Sequence, residues 1–252
     1  MSSEPSPVAI VTGAGSGVGR AITRRLIEAG YRVALAGRRP EPLEATLVDL
    51  SDTRGSFVFP ADVSAADDVD ALFDELVSRA GRLDLLINNA GTFGRPAPVE
   101  DYSLEEWSRA VETNLTGAFL CSRRAFREMI GQRPSGGRII NNGSISAHVP
   151  RPNAVAYTAT KHGMTGLTKA LALEGRRHRI ACGQIDIGNA ATEMTEQISR
   201  GALQTDGSVA PEPTIPASLV ADAVLYMAGL PLEANVLTVT VMATGMPYVG
   251  RG

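Results

Sequence analysis

The sequence predicts a single α/β domain in which a mainly parallel sheet of seven strands is covered by helices on both faces. Short runs rich in Val, Ile and Leu alternate with amphipathic stretches along the whole chain, and such apolar strands are typical of a parallel sheet with both faces buried. The repeated strand–helix units imply right-handed crossovers and a doubly wound sheet. A length of 252 residues without an internal linker suits one domain over residues 1–252.

Each element is predicted from a local pattern of apolar residues. The predicted strands are Val8–Thr12, Arg32–Ala36, Ser56–Pro60, Leu83–Asn88, Gly137–Asn142, Arg179–Ile185 and Val236–Met242. The predicted helices are Gly17–Gly30, Glu41–Ser51, Ser64–Ala80, Ser103–Ile130, Ala154–Gly175 and Ile215–Gly229.

Residues with strong positional preferences mark several helix ends. Pro40 stands at one helix start, Ser64 and Ser103 are candidate N-caps, and Gly30 and Gly175 stand where helices should stop. The least regular segment runs from about residue 189 to 213 and is polar and rich in Gly, Pro and Thr. It is expected to be a substrate lid, with an ordinary surface loop as the alternative.

Bulk properties exclude several kinds of partner. A net charge of −3 and a pI near 5.7 give no reason to expect nucleic acid or an anionic membrane as a partner. Cys121 and Cys182 lie far apart in apolar runs without metal-ligand spacing, so we expect buried free thiols and no metal site. Because neither a membrane span nor a signal peptide is predicted, a cytoplasmic protein is expected.

Tyr157 and Lys161 lie one helical turn apart and therefore on one face of a predicted helix. A free tyrosine has a pKa near ~10, so it is a poor base at neutral pH until a nearby cation favours the phenolate. Lowering that pKa by about three units requires roughly 4 kcal/mol, which one close ammonium in a desolvated cleft could largely supply. Lys161 and Lys169 are the only lysines among 24 basic residues, which suggests that position 161 needs a compact charge. Two surface residues on a helix are the alternative.

A glycine-rich turn follows the first predicted strand and opens the first predicted helix. Its sequence from Thr12 is Thr-Gly-Ala-Gly-Ser-Gly-Val-Gly. Glycines permit the tight turn and let the backbone approach a pyrophosphate, whose charge then faces the helix N-terminus. A chance glycine-rich turn is the alternative. The residues predicted to contact a dinucleotide here are Gly13, Gly15, Ser16, Gly17, Val18 and Gly19.

The residues after the second predicted strand indicate which dinucleotide is bound. An acidic residue there would hold the ribose 2′-hydroxyl of NAD, but this chain has Arg38 and Arg39. Arginine can bond a 2′-phosphate with roughly 1.5–3 kcal/mol per charged hydrogen bond, about one to two decades of affinity. The sequence therefore predicts NADP(H), with NAD(H) as the second cofactor and solvated arginines as the alternative. Asp62 and Val63, just past the third strand, are placed to meet the adenine.

Four motifs follow one another in the order typical of the short-chain dehydrogenases/reductases, and the chain from about residue 7 to 241 resembles the compact, single-domain branch of that family. The resemblance implies a seven-stranded Rossmann-type sheet. It also implies a homo-oligomer, a dimer or tetramer, formed through the two long helices Ser103–Ile130 and Ala154–Gly175. The motifs are the Thr-Gly-x-x-x-Gly-x-Gly turn, the run Asn88-Asn89-Ala90-Gly91, Ser144, and Tyr157-x-x-x-Lys161.

The resemblance also implies roles for individual residues. Tyr157 would be the general acid/base for a carbonyl or secondary-alcohol substrate. Lys161 would lower the pKa of Tyr157 and hold the nicotinamide ribose, and Ser144 would hydrogen-bond the developing alkoxide. Asn114 matches the asparagine that locally loosens its helix and holds a water in a proton relay; a plain helix-surface asparagine is the alternative. The protein would orient a hydride transfer between NADP(H) and the substrate.

The cofactor rim contains one departure from the family pattern. The loop Asn89–Gly91 would border the cofactor, with Asn89 shaping the loop. After the sixth strand the family usually carries Pro-Gly and then Thr, whereas this chain has Ile187, Gly188 and Thr192. Gly188 and Thr192 are still expected at the cofactor, Thr192 at the nicotinamide carboxamide, but the rigid turn of the proline is gone.

Two other functions are compatible with the same motifs. An epimerase or dehydratase of the longer-chain relatives shares Tyr-x-x-x-Lys, although those proteins usually have a larger C-terminal substrate region. A protein that senses NADP(H) without turnover is the second, and the complete set of four catalytic residues argues against it. The substrate is not specified, because the expected pocket wall mixes apolar and polar groups. That wall comprises Phe93, Ile145, His148, Val149, Met194 and Ile198, with a loop histidine of no chemical role as the alternative for His148.

The C-terminal segment Met246–Gly252 is apolar for a terminus. We expect it to dock on a neighbouring subunit near that subunit's substrate rim. Deletion of the segment should then change the oligomer size measured by light scattering, or the KM for substrate. An unchanged oligomer size together with an unchanged KM would reject this interpretation.

Overall fold

The structure is a computed structural model and describes residues 6–196 and 200–249. A parallel sheet of seven strands runs through its centre in the order β11-β6-β5-β4-β1-β2-β3. The predicted doubly wound α/β fold is therefore confirmed, and each of the seven predicted strands overlaps an observed one. Numbered in chain order, the strands are β1 (Val8–Thr12), β2 (Arg32–Gly37), β3 (Phe57–Pro60), β4 (Leu85–Asn88), β5 (Gly137–Asn142), β6 (Ile180–Ile187) and β11 (Thr238–Val241).

Helices cover both faces of the sheet because its strands are apolar on both sides. In β1, Val8 and Ile10 belong to one core cluster and Ala9 and Val11 to the other, as the alternation of a strand requires. Helices α3, α5 and α6 contribute to the first cluster, and α1, α2 and α7 to the second. Numbered in chain order, the helices are α1 (Gly17–Glu28), α2 (Pro40–Leu47), α3 (Ala66–Ala80), α4 (Leu104–Val111), α5 (Gly117–Gly131), α6 (Val155–Gly175) and α7 (Ala217–Ala228).

The helix ends agree with the predicted capping residues in some places and differ in others. Ser103 caps α4 in a capping box with Glu106. Ser64 does not cap α3, because Ala65 holds that position and the Ser64 hydroxyl donates to the Asp62 carboxylate at 2.6 Å.

The two glycines that were expected to end helices both stand at helix ends, in different conformations. Gly30 follows α1 with a φ of +96°. Gly175 keeps a helical φ of −66°, and a 3₁₀ turn, Arg176–His178, extends the helix to Arg179 at φ 58°. A Cβ at Gly175 would lie 2.2 Å from the carbonyl oxygen of Ile180. The α-helix α6 therefore ends at the predicted glycine, which also permits this close approach.

The predicted helix Ser103–Ile130 is interrupted in the structure. The segment Glu112–Thr116 between α4 and α5 is a π-helix. Such insertions disturb the regular i→i−4 hydrogen bonds and are frequent at functional sites. Periodicity did not locate this interruption, and only the family resemblance indicated a loosened helix at Asn114.

Four two-residue strands organise the segment after β6. β7 (Ala190–Ala191) pairs in parallel with β10 (Ile215–Pro216), and β8 (Ala202–Leu203) pairs antiparallel with β9 (Val209–Ala210). The segment that was expected to be irregular is thus held by backbone pairing. Within the described ranges, no helix is long and apolar enough to cross a bilayer.

Candidate active site

Three cavities follow one another along the edge of the sheet where the parallel strands end. We call them the arginine cavity, the central cavity and the outer cavity, with volumes of about 160, 170 and 270 Å³ respectively. Gly13 and Ala90 line both the arginine and the central cavity, and Tyr157 lines both the central and the outer cavity. The carboxyl edge at the reversal of strand order, here between β1 and β4, is where open α/β sheets bind ligands.

The glycine-rich turn forms one wall of the arginine and central cavities. Gly13 has a φ of +65°, which favours glycine. At Gly19 an added Cβ would lie 2.1 Å from the Gly13 carbonyl oxygen and 2.4 Å from Nδ2 of Asn89. The turn can therefore adopt this tight shape only with glycine at position 19.

Asn89 connects the ends of two strands behind this turn. Its Nδ2 donates to the carbonyl oxygen of Thr12 at 2.9 Å, and its Oδ1 accepts from Nδ2 of Asn142 at 2.8 Å. The amide thus joins the end of β1 to the end of β5. This geometry gives Asn89 a structural part in shaping the cavity, as its predicted role requires.

The arginine cavity contains the residues that were predicted to choose between dinucleotides. Arg38 and Arg39 are exposed and line the cavity beside Asp62 and Val63. Among the described residues neither guanidinium has a carboxylate within ion-pair distance, so both remain available to an anion. A hydrogen bond from Ser64 lowers the pKa of Asp62, with a smaller effect of the Arg38 charge.

The predicted contact residues divide between the cavities as follows. Those on the arginine cavity are Gly13, Gly15, Ser16, Arg38, Arg39, Asp62, Val63, Ala90 and Gly91. Those on the central cavity are Gly13, Ser16, Gly17, Val18, Gly19, Asn89, Ala90, Gly91, Tyr157, Lys161 and Thr192.

Gly188 was predicted to contact the cofactor, and this contact stays a prediction. The residue lines the outer cavity, and a Cβ there would lie 2.6 Å from Cβ of Met242. A side chain at position 188 would therefore clash with the residue after β11. Thr192 does line the central cavity, so the departure from Pro-Gly leaves the threonine in place.

Tyr157 lies in the first turn of α6 at the junction of the central and outer cavities. Its ring packs against Phe93 with the ring centroids 4.8 Å apart. Burial raises the pKa of the phenol, and a hydrogen bond with Ser144 and the charge of Arg151 oppose this rise. The phenol is therefore the favoured form at neutral pH, whereas the sequence predicted a pKa lowered by Lys161.

Lys161 lies on the same face of α6 and is 6% exposed. Its Nζ donates to the Asn142 carbonyl oxygen at 2.6 Å and lies 5.6 Å from the centroid of the Tyr157 ring. Burial lowers the pKa of this ammonium to about 8, against an opposing effect of the Asp186 carboxylate. The lysine is thus close to the phenol without a direct hydrogen bond to it.

Ser144 is the second residue after the end of β5 and lines the outer cavity beside Tyr157. It caps a 3₁₀ turn, Ile145–Ala147, because its Oγ accepts from the Ser146 amide at 3.1 Å. Its own amide donates to Oδ1 of Asp186 at 3.1 Å. The hydroxyl is therefore held next to the phenol by both the turn and the neighbouring strand.

Asn114 lies in the π-helical segment, as the expected loosening of its helix requires. Its Oδ1 accepts from the Thr92 amide at 2.7 Å, and its Nδ2 donates to the Thr92 carbonyl oxygen at 2.9 Å and to Thr160 Oγ1 at 3.1 Å. The side chain faces none of the three cavities and lies behind Gly91, where a Cβ would be 3.2 Å from its Oδ1. Its side chain fixes the loop after β4 to α6.

The wall of the outer cavity agrees in part with its prediction. Phe93 and Ile145 line it, whereas His148 and Val149 do not. The side chain of Met194 and all of Ile198 lie outside the described part of the chain. Lining residues that the sequence analysis did not name for this wall include Pro96, Arg151, Asn153, Asn189 and Leu203, of which the last two lie in the predicted lid. The position of residues 151–153 between Ser144 and Tyr157 was the available signal for two of these.

Arg151 joins the outer cavity to the segment after β6. Its Nη2 donates to Oε2 of Glu212 at 2.6 Å and to Oδ1 of Asn189 at 3.0 Å. The two charged side chains are only 10% and 2% exposed. A buried ion pair of this kind is costly to break, because removal of either residue leaves a buried charge without its counter-ion.

The described part of the C-terminal segment packs on its own chain. Met246 is 5% exposed and contacts the cluster that contains Ile145 and Ala243, next to Ser144. Residues 250–252 lie outside the described part. The docking of this segment on a neighbouring subunit stays a prediction.

The arrangement places the Tyr157 phenol, which can carry a proton, between the central and the outer cavity. A ligand in the central cavity and a second ligand in the outer cavity could both reach Tyr157. The neighbouring Ser144 hydroxyl and Lys161 ammonium can stabilise a negative oxygen or a phenolate. The described residues contain no cluster of three or more His, Cys, Asp or Glu side chains that could hold a metal ion.

Comparisons with known proteins agree with this geometry. The sequence model of the short chain dehydrogenase family matches residues 7–202. A 3beta-hydroxysteroid dehydrogenase of Mediterraneibacter gnavus is 37% identical over 193 residues, which cover 76% of this chain and 69% of that protein.

Two solved structures have the same fold over nearly the whole chain. An actinorhodin polyketide ketoreductase variant with NADPH is 31% identical with a TM-score of 0.85, covering 96% of this chain and 98% of that chain. A 3-ketoacyl-(acyl-carrier-protein) reductase of Brucella melitensis complexed with NADH is 26% identical with a TM-score of 0.82, covering 94% and 97%.

Proposed function

This chain belongs to the short-chain dehydrogenase/reductase family, and we propose that it transfers a hydride between NADP(H) and a carbonyl or secondary-alcohol substrate. The observation that supports this proposal most strongly is the position of Tyr157 at the junction of the central and outer cavities. A proton donor is needed where the cofactor and the substrate meet. Ser144 lines the outer cavity and Lys161 the central cavity, and both lie beside Tyr157.

The residues along the edge of the sheet fit a nicotinamide dinucleotide. Gly13 and Gly19 leave no room for a side chain at their own positions, so backbone amides at the start of α1 can approach a pyrophosphate. The central cavity, with Lys161 and Thr192, would hold the nicotinamide ribose and carboxamide. When bound, the dinucleotide supplies or accepts the hydride, while the protein provides orientation.

Tyr157 is proposed as the general acid/base. Since burial raises the pKa of its phenol, the residue holds a proton at neutral pH and can give it to a carbonyl oxygen during reduction. Ser144, which shares a hydrogen bond with the phenol, would donate to the same oxygen as negative charge develops. In alcohol oxidation the proton moves in the opposite direction.

Arg38 and Arg39 support a preference for NADP(H). Both line the arginine cavity without a carboxylate at ion-pair distance among the described residues, so a 2′-phosphate would be their first anionic partner. A solvated guanidinium gains roughly 1.5–3 kcal/mol from each charged hydrogen bond to phosphate.

Substitution of Arg38 with aspartate is expected to lower the affinity for NADPH by about 10- to 100-fold and to leave the affinity for NADH equal or higher. The reason is that a carboxylate repels the 2′-phosphate but can accept from a ribose hydroxyl. Both dissociation constants are measured by quenching of protein fluorescence. Arg54→Asp, an exposed change before β3 at the opposite edge of the sheet, is the matched control. Wild-type affinity for NADH equal to that for NADPH would contradict the assigned preference.

The segment from about residue 189 to 213 is proposed as the cover of the substrate site. Asn189, Ala202 and Leu203 line the outer cavity, and the buried Arg151–Glu212 pair attaches this segment to the loop after β5. The cover is thus fastened beside the phenol. Its apolar and polar residues are compatible with several classes of ketone.

A homo-oligomer, either a dimer or a tetramer, is proposed for the assembled protein. The two long helical segments expose large apolar side chains, among them Leu104 at 81%, Phe119 at 46% and Leu173 at 61%. Apolar side chains of this size on neighbouring helices are frequent at protein interfaces. We propose that the oligomer acts in the cytoplasm on a small-molecule substrate.

The proposed activity is tested with panels of carbonyls and alcohols, followed at the nicotinamide absorbance with both cofactors. Turnover of at least one ketone with NADPH is expected. Tight cofactor binding without turnover of any substrate would instead favour a sensor of NADP(H). Release of a dehydrated or epimerised product without net change in the cofactor would favour the epimerase or dehydratase alternative.

A further inference from the structure

Asp186 is a buried carboxylate next to the proposed catalytic residues that the sequence analysis did not single out. Its residue is 0% exposed. Oδ1 accepts from the Ser144 amide at 3.1 Å and from Nε2 of Gln184 at 2.7 Å, and Oδ2 lies 2.9 Å from Nε2 of His148. A buried carboxylate is tolerated only with such a set of donors.

A glycine directly after the neighbouring strand β5 leaves space for the Asp186 carboxylate. A Cβ at Gly143 would lie 2.1 Å from Oδ1 of Asp186, which is far inside van der Waals contact. Gly143 directly follows β5 and precedes Ser144. The close approach of Asp186 to the Ser144 amide therefore depends on the absence of a side chain at position 143.

Gln184 extends the contact from Asp186 to α6. Its Nε2 donates to Thr165 Oγ1 at 3.0 Å as well as to Asp186, and its Oε1 accepts from Thr168 Oγ1 at 3.0 Å. Thr165 lies one helical turn beyond Lys161 on α6. A chain of hydrogen bonds thus runs from the carboxylate to the helix that bears both Tyr157 and Lys161.

We propose that Asp186 is a positioning residue of the active site, which holds Ser144 beside the phenol and, through Gln184, fixes the helix face that bears Lys161. This inference deepens the proposed function and rests on it for the roles of Ser144 and Lys161. The Asp186 carboxylate lines none of the three cavities, so it acts through its neighbours.

The charge of Asp186 acts on the same neighbours. Burial lowers the pKa of Lys161, and the Asp186 carboxylate opposes that effect and so favours the ammonium. The carboxylate also raises the pKa of Tyr157, whereas the charge of Arg151 lowers it.

The groups that face this carboxylate come from three parts of the fold. Ser144 and His148 lie on the turn after β5, Tyr157 and Lys161 lie on α6, and Arg151 lies on the loop between them. Removal of the negative charge should therefore make Lys161 lose its proton at a lower pH.

The low lysine content allows a direct test that needs no substrate. Protein labelled with ¹³C at lysine Cε should give signals from Lys161 and Lys169 only, and Lys169→Arg assigns them. The pH titration of Lys161 is compared in the full-length protein and in Asp186→Asn, which removes the charge at nearly equal volume. The titration midpoint is expected to fall by about one pH unit. Asp222→Asn, an exposed acidic residue paired with Arg25 on the other face of the sheet, should leave it unchanged.

Kinetics provide the second measurement. If Lys161 must be charged, the alkaline limb of kcat/KM should move to lower pH in Asp186→Asn by the same amount, and kcat should fall more than KM rises. Lys161 is also titrated in Asp186→Ser. Because serine packs differently from asparagine, this second variant provides a test if the first one misfolds.

The outcomes separate this inference from the proposed function. A Lys161 midpoint in a folded Asp186 variant that equals the wild-type midpoint would overturn the charge argument. If neither Asp186 variant folds, Asp186 is a determinant of folding and not a positioning residue, and the proposal is rejected. Absence of turnover in the wild-type protein, with the midpoint shifted as expected, would reject the proposed activity and leave the contact between Asp186 and Lys161 established.

Discussion

Replacement of Tyr157 with phenylalanine is expected to lower kcat by about 10³-fold, within the range that general acid–base groups contribute. The change removes one oxygen and keeps the ring that packs against Phe93, so the walls of both cavities are retained. The affinity for NADPH should remain within about twofold, because the phenol is one of many groups on the central cavity. Turnover is followed at the nicotinamide absorbance and binding by fluorescence.

Tyr226→Phe is the matched control for this prediction. Tyr226 lies on α7 with 65% exposure and lines neither the central nor the outer cavity, so the same chemical change should leave kcat unchanged. Retention of wild-type turnover in Tyr157→Phe would show that another group supplies the proton, and the assigned chemistry would then be wrong.

Substitution of Lys161 with methionine is expected to lower kcat/KM by at least 10²-fold and, at neutral pH, to raise the free energy of unfolding. The loss of activity follows because no ammonium remains to stabilise the phenolate or to hold the nicotinamide ribose. The gain in stability follows because burial lowers the pKa of Lys161 from 10.5 to about 8. That shift corresponds to a cost of about 3 kcal/mol for folding with a charged lysine.

The expected net gain is smaller than this cost. Lys161 donates to the Asn142 carbonyl oxygen at 2.6 Å, and loss of a hydrogen bond from a charged group offsets about 1.5–3 kcal/mol. A net increase of about 1 kcal/mol at pH 7 is therefore expected, measured by urea unfolding. Lys169→Met, an exposed change on the same helix, should alter neither activity nor stability.

The pH dependence of this effect has a defined sign. Between pH 8 and 10.5 the unfolded chain holds a proton on Lys161 that the folded protein has released, so wild-type stability should rise with pH across that window. The advantage of Lys161→Met, about 1 kcal/mol at pH 7, should therefore shrink from pH 8 upward, vanish at about pH 9 and be replaced by a more stable wild type at higher pH. A variant that is less stable than wild type at pH 7 and equally so at pH 10 would contradict the burial cost.

Much of the fold could be predicted because its signals are local. The strand β1 was predicted with its observed ends, as was β5, since each contains consecutive apolar residues and is followed by a glycine. The glycine turn, Arg38 and Arg39 lie on the predicted edge of the sheet, because the carboxyl ends of parallel strands meet there. Helix ends were less accurate: α3 begins after Ala65 because Ser64 bonds to Asp62 instead.

The candidate site could be predicted only where its residues follow a known spacing. Tyr157 and Lys161 share a helix face by their separation of one turn, and Ser144 was found through the family pattern. Asn114 was also found in this way, but its contact with Thr92 and its position behind Gly91 follow from packing between loops. The prediction that Lys161 lowers the pKa of Tyr157 did not include the burial of the phenol, which acts in the opposite direction.

By itself the sequence determined the order of strands and helices, the glycine turn and the tyrosine–lysine pair, because each depends on residues within a few positions of one another. Only the tertiary structure brought Asp186 to the Ser144 amide, 42 residues away, and Glu212 to Arg151, 61 residues away. Those contacts depend on the register of β5 against β6 and on the space left by Gly143. A buried charge is stable only where such distant donors meet it, so its role becomes visible only when the chain is folded.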